Sequence, residues 1–182
     1  FNNTGQTCDA PTRMLVQRSI YDEAVKVAKR VGEATSVGDP TAEGNHIGPL
    51  VSHIQYDRVQ TLIQAGIDEG AKLLVGGVGK PDGINEGYFT KPTIFADVNN
   101  DMRIAREEIF GPVVVMIPFD SEEDAIKIAN DTPYGLAAYI QTPDAAKADR
   151  VARKLRAGMV RINGAFPRAG SPFGGYKQSG IG

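Results

Sequence analysis

Val113-Val114-Val115-Met116-Ile117 is an unbroken apolar run rich in β-branched residues, the composition of a strand buried on both faces. Ser121-Glu122-Glu123-Asp124 follows, a hydroxyl able to cap a helix with an acid three positions on, and Ala125, Ile128 and Ala129 then repeat at helical spacing. A second apolar run occupies residues 135–140. Thr142-Pro143 predicts another helix start with proline in the first turn; Ala145, Ala148, Val151, Ala152 and Leu155 mark its apolar face and Gly158 its end. Met159-Val160-Arg161-Ile162-Asn163 is the next strand. Strand, helix, strand, helix, strand requires two crossover connections, and crossovers join parallel strands. The predicted fold class is α/β, a mostly parallel sheet flanked by helices.

The first half supplies further elements. Residues 13–17 read as a strand and residues 21–34 as a helix through Ala24, Val25, Ala28 and Val31. Ser52 caps another helix, in which Val59, Leu62, Ile63 and Ile67 line one face. Residues 72–75 and 93–95 read as short strands around the glycine-rich stretch 76–87. Gly77-Val78-Gly79 resembles the start of a dinucleotide fingerprint, but Asp82 holds the third glycine's place and Pro81 would break the helix that must follow. Lys80 precedes Pro81 instead of Ser or Thr, which removes a phosphate loop as well. The stretch is predicted to be a hairpin loop. Residues 38–49 form a long connection, and loops of that length are usually functional or partner-contacting.

The 182 residues carry 20 Lys and Arg against 22 Asp and Glu, a formal net charge of −2, with both signs mixed along the chain. That balance argues against a nucleic-acid partner. No apolar stretch is long enough for a bilayer and no secretory leader is visible, so no membrane partner is expected and the cytoplasm is the expected location. The two histidines, His46 and His53, have neither cysteine nor an acidic cluster beside them, so no metal site is predicted. The chain suits one domain and is short for an enzyme holding both a dinucleotide and a substrate, so it is expected to be a piece of a longer protein.

The single cysteine, Cys8, excludes an internal disulfide and lies in Phe1-Asn2-Asn3-Thr4-Gly5-Gln6-Thr7-Cys8, followed by Asp9-Ala10-Pro11. Two readings stand side by side: a buried packing residue, common for free cysteine, and a nucleophile held at a tight polar reversal. Glu107 and Glu108 similarly read as solvated residues ahead of the rigid Gly111-Pro112 turn.

The run from Phe1 to Cys8 resembles the cysteine signature of the aldehyde dehydrogenase superfamily. Glu107-Glu108-Ile109-Phe110-Gly111-Pro112 resembles the family's Glu-Glu-x-Phe-Gly-Pro turn, and Ser171-Pro172-Phe173-Gly174-Gly175-Tyr176-Lys177-Gln178-Ser179-Gly180 its closing loop. The three motifs keep the family's order and bracket nearly the whole chain. The resemblance implies a three-layer α/β/α catalytic domain over residues 1–182, with the NAD(P)-binding domain upstream and a C-terminal tail outside this chain. It implies oxidation of a small-molecule aldehyde to an acid with NAD or NADP, through a thiohemiacetal and a thioester on Cys8, whose backbone N–H is placed to stabilise the oxyanion. Glu108 would bind the nicotinamide ribose and Phe110 pack by the nicotinamide. Asp9, Asn163, Phe166 and Phe173 are the implied substrate-pocket residues; Asp9, where the family carries a small or uncharged residue, disfavours the thiolate and anionic aldehydes. Relatives form homodimers or homotetramers. The family's general-base glutamate has no counterpart here, so this polypeptide alone is expected to bind cofactor poorly and to turn over little aldehyde. Transfer of the acyl group to coenzyme A, thiol hydrolysis without nicotinamide, and a non-catalytic assembly domain are the competing readings.

Overall fold

The computed structural model describes residues 1–166 and 169–182, which fall into two compact units, Phe1–Pro118 and Phe119–Gly182. The first holds a four-stranded sheet in the order β1 (Arg13–Gln17), β4 (Val113–Phe119), β3 (Thr93–Ala96), β2 (Lys72–Val75). β3 and β4 are parallel, with Thr93 opposite Val113 and Phe95 opposite Val115, whereas β2 and β3 are antiparallel and slip register between Leu73 and Val75. The connection between them is thus the expected hairpin loop. Helices α1 (Tyr21–Ala34) and α2 (His53–Asp68) belong to this unit, with a short α3 (Arg103–Arg106).

Every residue of β3 is buried, and so are Val113, Val115, Met116 and Ile117 of β4, the pattern of central strands covered on both faces. Val59, Leu62 and Ile63 of α2 join that core as predicted; Ile67, at the helix end, is 37 % exposed. On α1, Val31 is exposed as well. Tyr21 is buried at the start of α1, donating from its hydroxyl to the Met116 carbonyl (3.2 Å) while accepting from the Asp97 N–H (2.7 Å). Burial raises this phenol above its ordinary value, so it stays protonated and keeps donating.

The second unit contains α4 (Glu122–Asn130), β5 (Ala137–Ile140), α5 (Ala145–Ala152) and β6 (Met159–Ile162). β5 and β6 pair in parallel, Ala137 opposite Met159 and Ile140 opposite Ile162, so the predicted crossover through α5 is present. They form a two-stranded sheet of their own, while β4 takes β1 and β3 as neighbours. The sequence expectation of one sheet running from residue 113 to residue 163 is corrected there. A β-branched run reveals that a strand is central but not which distant segments flank it.

Ser121 caps α4 as expected, accepting from the Asp124 N–H at 3.1 Å. The start of α5 differs. Its cap is Asp144, which accepts from the Lys147 N–H (2.9 Å), and Thr142 Oγ1 accepts from the Asp144 N–H, so Pro143 precedes the helix instead of opening it. The capping role thus falls two positions later than expected, to a carboxylate instead of a hydroxyl. The helix also ends at Ala152, ahead of Gly158. Arg150 grips Glu122 with two bonds of 2.8 and 2.6 Å, tying α5 to α4 and holding that carboxyl below its usual range.

Candidate active site

The cysteine segment begins with three successive left-handed residues, Asn3 (φ 51°), Thr4 (φ 55°) and Gly5 (φ 72°). Glycine adopts this freely, but for β-branched threonine it is an outlier that costs on the order of 1–3 kcal/mol and persists only where the surroundings impose it. The surroundings do. Thr4 is buried, its hydroxyl donating to the Gly48 carbonyl at 3.1 Å. The Asn3 amide donates to the Gln6 carbonyl (2.9 Å). Gln6 reaches across to the long connection, donating to the Pro49 carbonyl (3.3 Å) and accepting from the Val51 N–H (2.9 Å). The Ala10 N–H then closes on the Thr7 carbonyl (3.0 Å), leaving Cys8 and Asp9 at the corners of a β-turn.

Cys8 is exposed at that corner. Within this unit the thiol is accessible on a pinned turn and is not one of the core residues. The 38–49 connection, singled out by its length, carries the Gly48 and Pro49 carbonyls that fasten the turn.

The second motif abuts the first. A Cβ built on Gly5 would run into the Gly111 carbonyl, and one on Gly111 would meet Val59 of α2 at 2.6 Å. Just before it Phe110 is itself left-handed (φ 55°), an outlier for a bulky residue. Glu107 is bound to Arg103 (2.8 Å) and is structural. Glu108 differs: it is exposed, and among the described residues no side chain pairs with its carboxylate. An acceptor-only carboxylate beside a half-buried aromatic ring has the chemistry to take a vicinal diol and flank a planar ring, so these residues fit a nicotinamide nucleoside.

Cys8, Asp9, Glu108 and Phe110 therefore share one unit. Asn163, Phe166 and Phe173 belong to the other. Asn163 (φ 50°) is the first residue after β6, which stops one position short of the expected strand, and its amide bonds Thr142 at both ends, donating to the carbonyl and accepting from the N–H at 2.9 Å each. With Gln141, Thr142 and Pro143 it lines a shallow depression. Those bonds fix the amide plane and leave its second N–H and the second lone pair of its oxygen for a ligand. Phe166 is 91 % exposed and Phe173 61 % exposed, so neither is a core residue of this unit. The third motif is fastened just ahead of β5 and β6: the Gly135 carbonyl accepts from Tyr176 N–H (3.0 Å), the Gly135 N–H donates to Ser179 Oγ (3.1 Å), and a Cβ on Gly158 would strike Gly174 and Gly175.

Gln55 and Arg58 were not legible as site residues. Both lie on the first turns of α2 and hold the Glu108–Phe110 backbone, Gln55 through the Ile109 and Phe110 carbonyls (2.9 Å each) and Arg58 through the Glu108 carbonyl (2.8 Å). The only sequence signal is Ser52-x-x-Gln55, which reads as a helix cap. Among the described residues no helix is long and apolar enough to cross a membrane, and no group of three or more His, Cys, Asp and Glu is assembled to hold a metal ion.

The aldehyde dehydrogenase family model matches residues 1–182. A 3-succinoylsemialdehyde-pyridine dehydrogenase from a Pseudomonas species is 52 % identical over 180 residues, which are 99 % of this chain and 38 % of that protein. The crystal structure of an aldehyde dehydrogenase from Bartonella henselae superposes with a TM-score of 0.97 at 56 % identity, over 98 % of this chain and 37 % of its own. A cysteine-to-alanine mutant of an aldehyde dehydrogenase from Pseudomonas syringae, in complex with NAD+ and octanal, also superposes with a TM-score of 0.97, at 47 % identity over 100 % of this chain and 38 % of that one. The chain thus spans about 38 % of the length of the curated relatives it matches. The α/β fold expected from the sequence is the fold of these structures, and the chain belongs to the aldehyde dehydrogenase family.

Proposed function

We propose that the full-length protein oxidises an aldehyde to a carboxylic acid with NAD(P)+, using Cys8 as nucleophile. The observation that carries the reading is the exposed Cys8 on a strained, pinned turn whose Gly5 abuts the Glu108–Pro112 turn in the same unit. The Pseudomonas syringae neighbour, a cysteine-to-alanine mutant holding NAD+ and octanal together, supports it.

The Cys8 thiolate adds to the carbonyl carbon, forming a carbon–sulfur bond and moving the π electrons onto oxygen. The tetrahedral oxyanion lies next to the Cys8 backbone N–H, which stabilises it. When bound, the nicotinamide cofactor supplies the acceptor for the hydride that this carbon releases. A thioester on Cys8 remains; water adds to it, giving up a proton to the base that the resemblance places outside this chain, and the thiolate leaves, yielding the acid and restoring the nucleophile. Phe166 and Phe173 are the apolar side chains proposed to meet the aldehyde, with Asn163 as a polar neighbour. On the family resemblance we take the full-length protein to be a homodimer or homotetramer, and we keep the cytoplasm, the location expected from the sequence, as its proposed place.

Two expected results test the assignment. Glu108→Gln in the full-length enzyme should raise the NAD(P)+ dissociation constant about tenfold, since a bond to a charged acceptor is replaced by a bond to a neutral one. Unchanged affinity by titration calorimetry would remove Glu108 from the cofactor site. Asp9 places a negative charge beside the reacting sulfur, so kcat/KM should be lower for an acidic semialdehyde than for a neutral aldehyde of equal length, by about tenfold for two charges held close in a partly screened site. A preference for the acid would reverse the role given to Asp9.

A further inference from the structure

We infer that Gln55 is a positioning residue for the cofactor turn, acting through the backbone of Ile109 and Phe110; the inference rests on the assignment of Glu108 and Phe110 to the cofactor. Gln55 stands three positions after the Ser52 cap, and its N–H donates to Ser52 Oγ at 3.2 Å. In that sequence context the glutamine side chain ordinarily turns back to the N–H of the capping residue. Here its amide nitrogen bonds instead to two successive carbonyls, Ile109 and Phe110, both at 2.9 Å.

Two neighbouring carbonyls converge on one donor only if the intervening peptide is turned, and Phe110 accomplishes this with its left-handed backbone. That conformation is unfavourable for phenylalanine, so an external grip must hold it. The Gln55 amide, with two N–H bonds, is the grip at this residue. Arg58 one turn further takes the Glu108 carbonyl, so three consecutive carbonyls, residues 108–110, are held by side chains of α2. The segment that leads into the same helix, at Pro49 and Val51, is bonded to Gln6 of the cysteine turn. The start of α2 is therefore common footing for the nucleophile and for the turn assigned to the cofactor, and Gln55 sets the direction of the Phe110 ring and Glu108 carboxylate relative to it.

The test uses the full-length enzyme carrying Gln55→Met, which keeps length and neutrality but has no donor, and Gln55→Lys, whose ammonium can donate to both carbonyls. Gln55→Met should raise the NAD(P)+ dissociation constant measured by calorimetry about tenfold, with a parallel rise in cofactor KM. The aldehyde KM and the rate at which iodoacetamide alkylates Cys8 without cofactor should stay close to wild type, with the melting temperature lowered only by the few degrees that two lost hydrogen bonds entail. Gln55→Lys should recover most of the lost affinity. Wild-type affinity in Gln55→Met overturns the inference, and so does a variant that loses cofactor binding, Cys8 alkylation and melting temperature together, because that marks a general structural role. Phe110→Ala and Glu108→Gln are measured alongside. If these weaken binding while Gln55→Met does not, the inference alone fails; if none of the three alters binding, the cofactor assignment fails and takes the inference with it.

Discussion

Cys8→Ala in the full-length enzyme should lower kcat for aldehyde oxidation by on the order of 10⁴-fold or more, the scale seen when a covalent nucleophile is removed. The loss follows from the chemistry. An aldehyde carbon has no tendency to release hydride until it is tetrahedral and electron-rich, and the sulfur at position 8 is the group given that task. No substitute lies nearby in sequence: the neighbours are Thr7, whose hydroxyl is a far weaker nucleophile at neutral pH, and Asp9, a poor one toward carbonyls. Because Cys8 is exposed and packs in no core, the substitution should leave the melting temperature and the cofactor dissociation constant within error of wild type. Steady-state kinetics with cofactor titration separates these quantities. Retention of a tenth or more of normal turnover would end the assignment of Cys8 as nucleophile.

Gly5→Ala should cost about 2–4 kcal/mol of stability, from two independent sources. One is conformational: φ is 72°, where alanine is disfavoured by about 1 kcal/mol relative to glycine. The other is steric, because the new methyl would enter the space of the Gly111 carbonyl, a backbone group with no rotamer to escape into. Gly70 separates them. It is also left-handed (φ 83°), but a Cβ there meets nothing within 4 Å, so Gly70→Ala should show the conformational part alone. Urea unfolding of both variants gives the difference, and near-equal losses would mean that the cysteine turn yields easily at Gly111. If the close approach is as rigid as the geometry indicates, Gly5→Ala also slows alkylation of Cys8 while Gly70→Ala leaves it unchanged.

Much of the local structure was readable because it is written in short-range chemistry. Ser52 and Ser121 cap the helices they were expected to cap, and the Val113–Ile117 run became a buried central strand. The pairing of that strand was not readable. Its partners β1 and β3 lie in other parts of the chain, and nothing in five consecutive apolar residues names them. Thr142-Pro143 misled for a different reason: Asp144 competes for the same capping role and takes it.

The site divides along the same line. Cys8, Glu108 and Phe110 were named from motif resemblance, which encodes residue type and order. Gln55 escaped notice because its local context, a serine three positions before a glutamine, describes a helix start equally well, and the convergence of its amide on Ile109 and Phe110 exists only in three dimensions. Left-handed backbone at Thr4 and Phe110 is equally silent in sequence, since neither residue type announces it.

The turn around Cys8 owes its shape to groups more than 40 positions away, with Thr4 and Gln6 bonded across separations of 44 and 43 residues. Contacts of that range form only after long loops have closed, which places them late in folding. During synthesis the sulfur leaves the ribosome before the segment that fixes it, and gains its directed geometry only after the stretch around Gly48 has followed and docked.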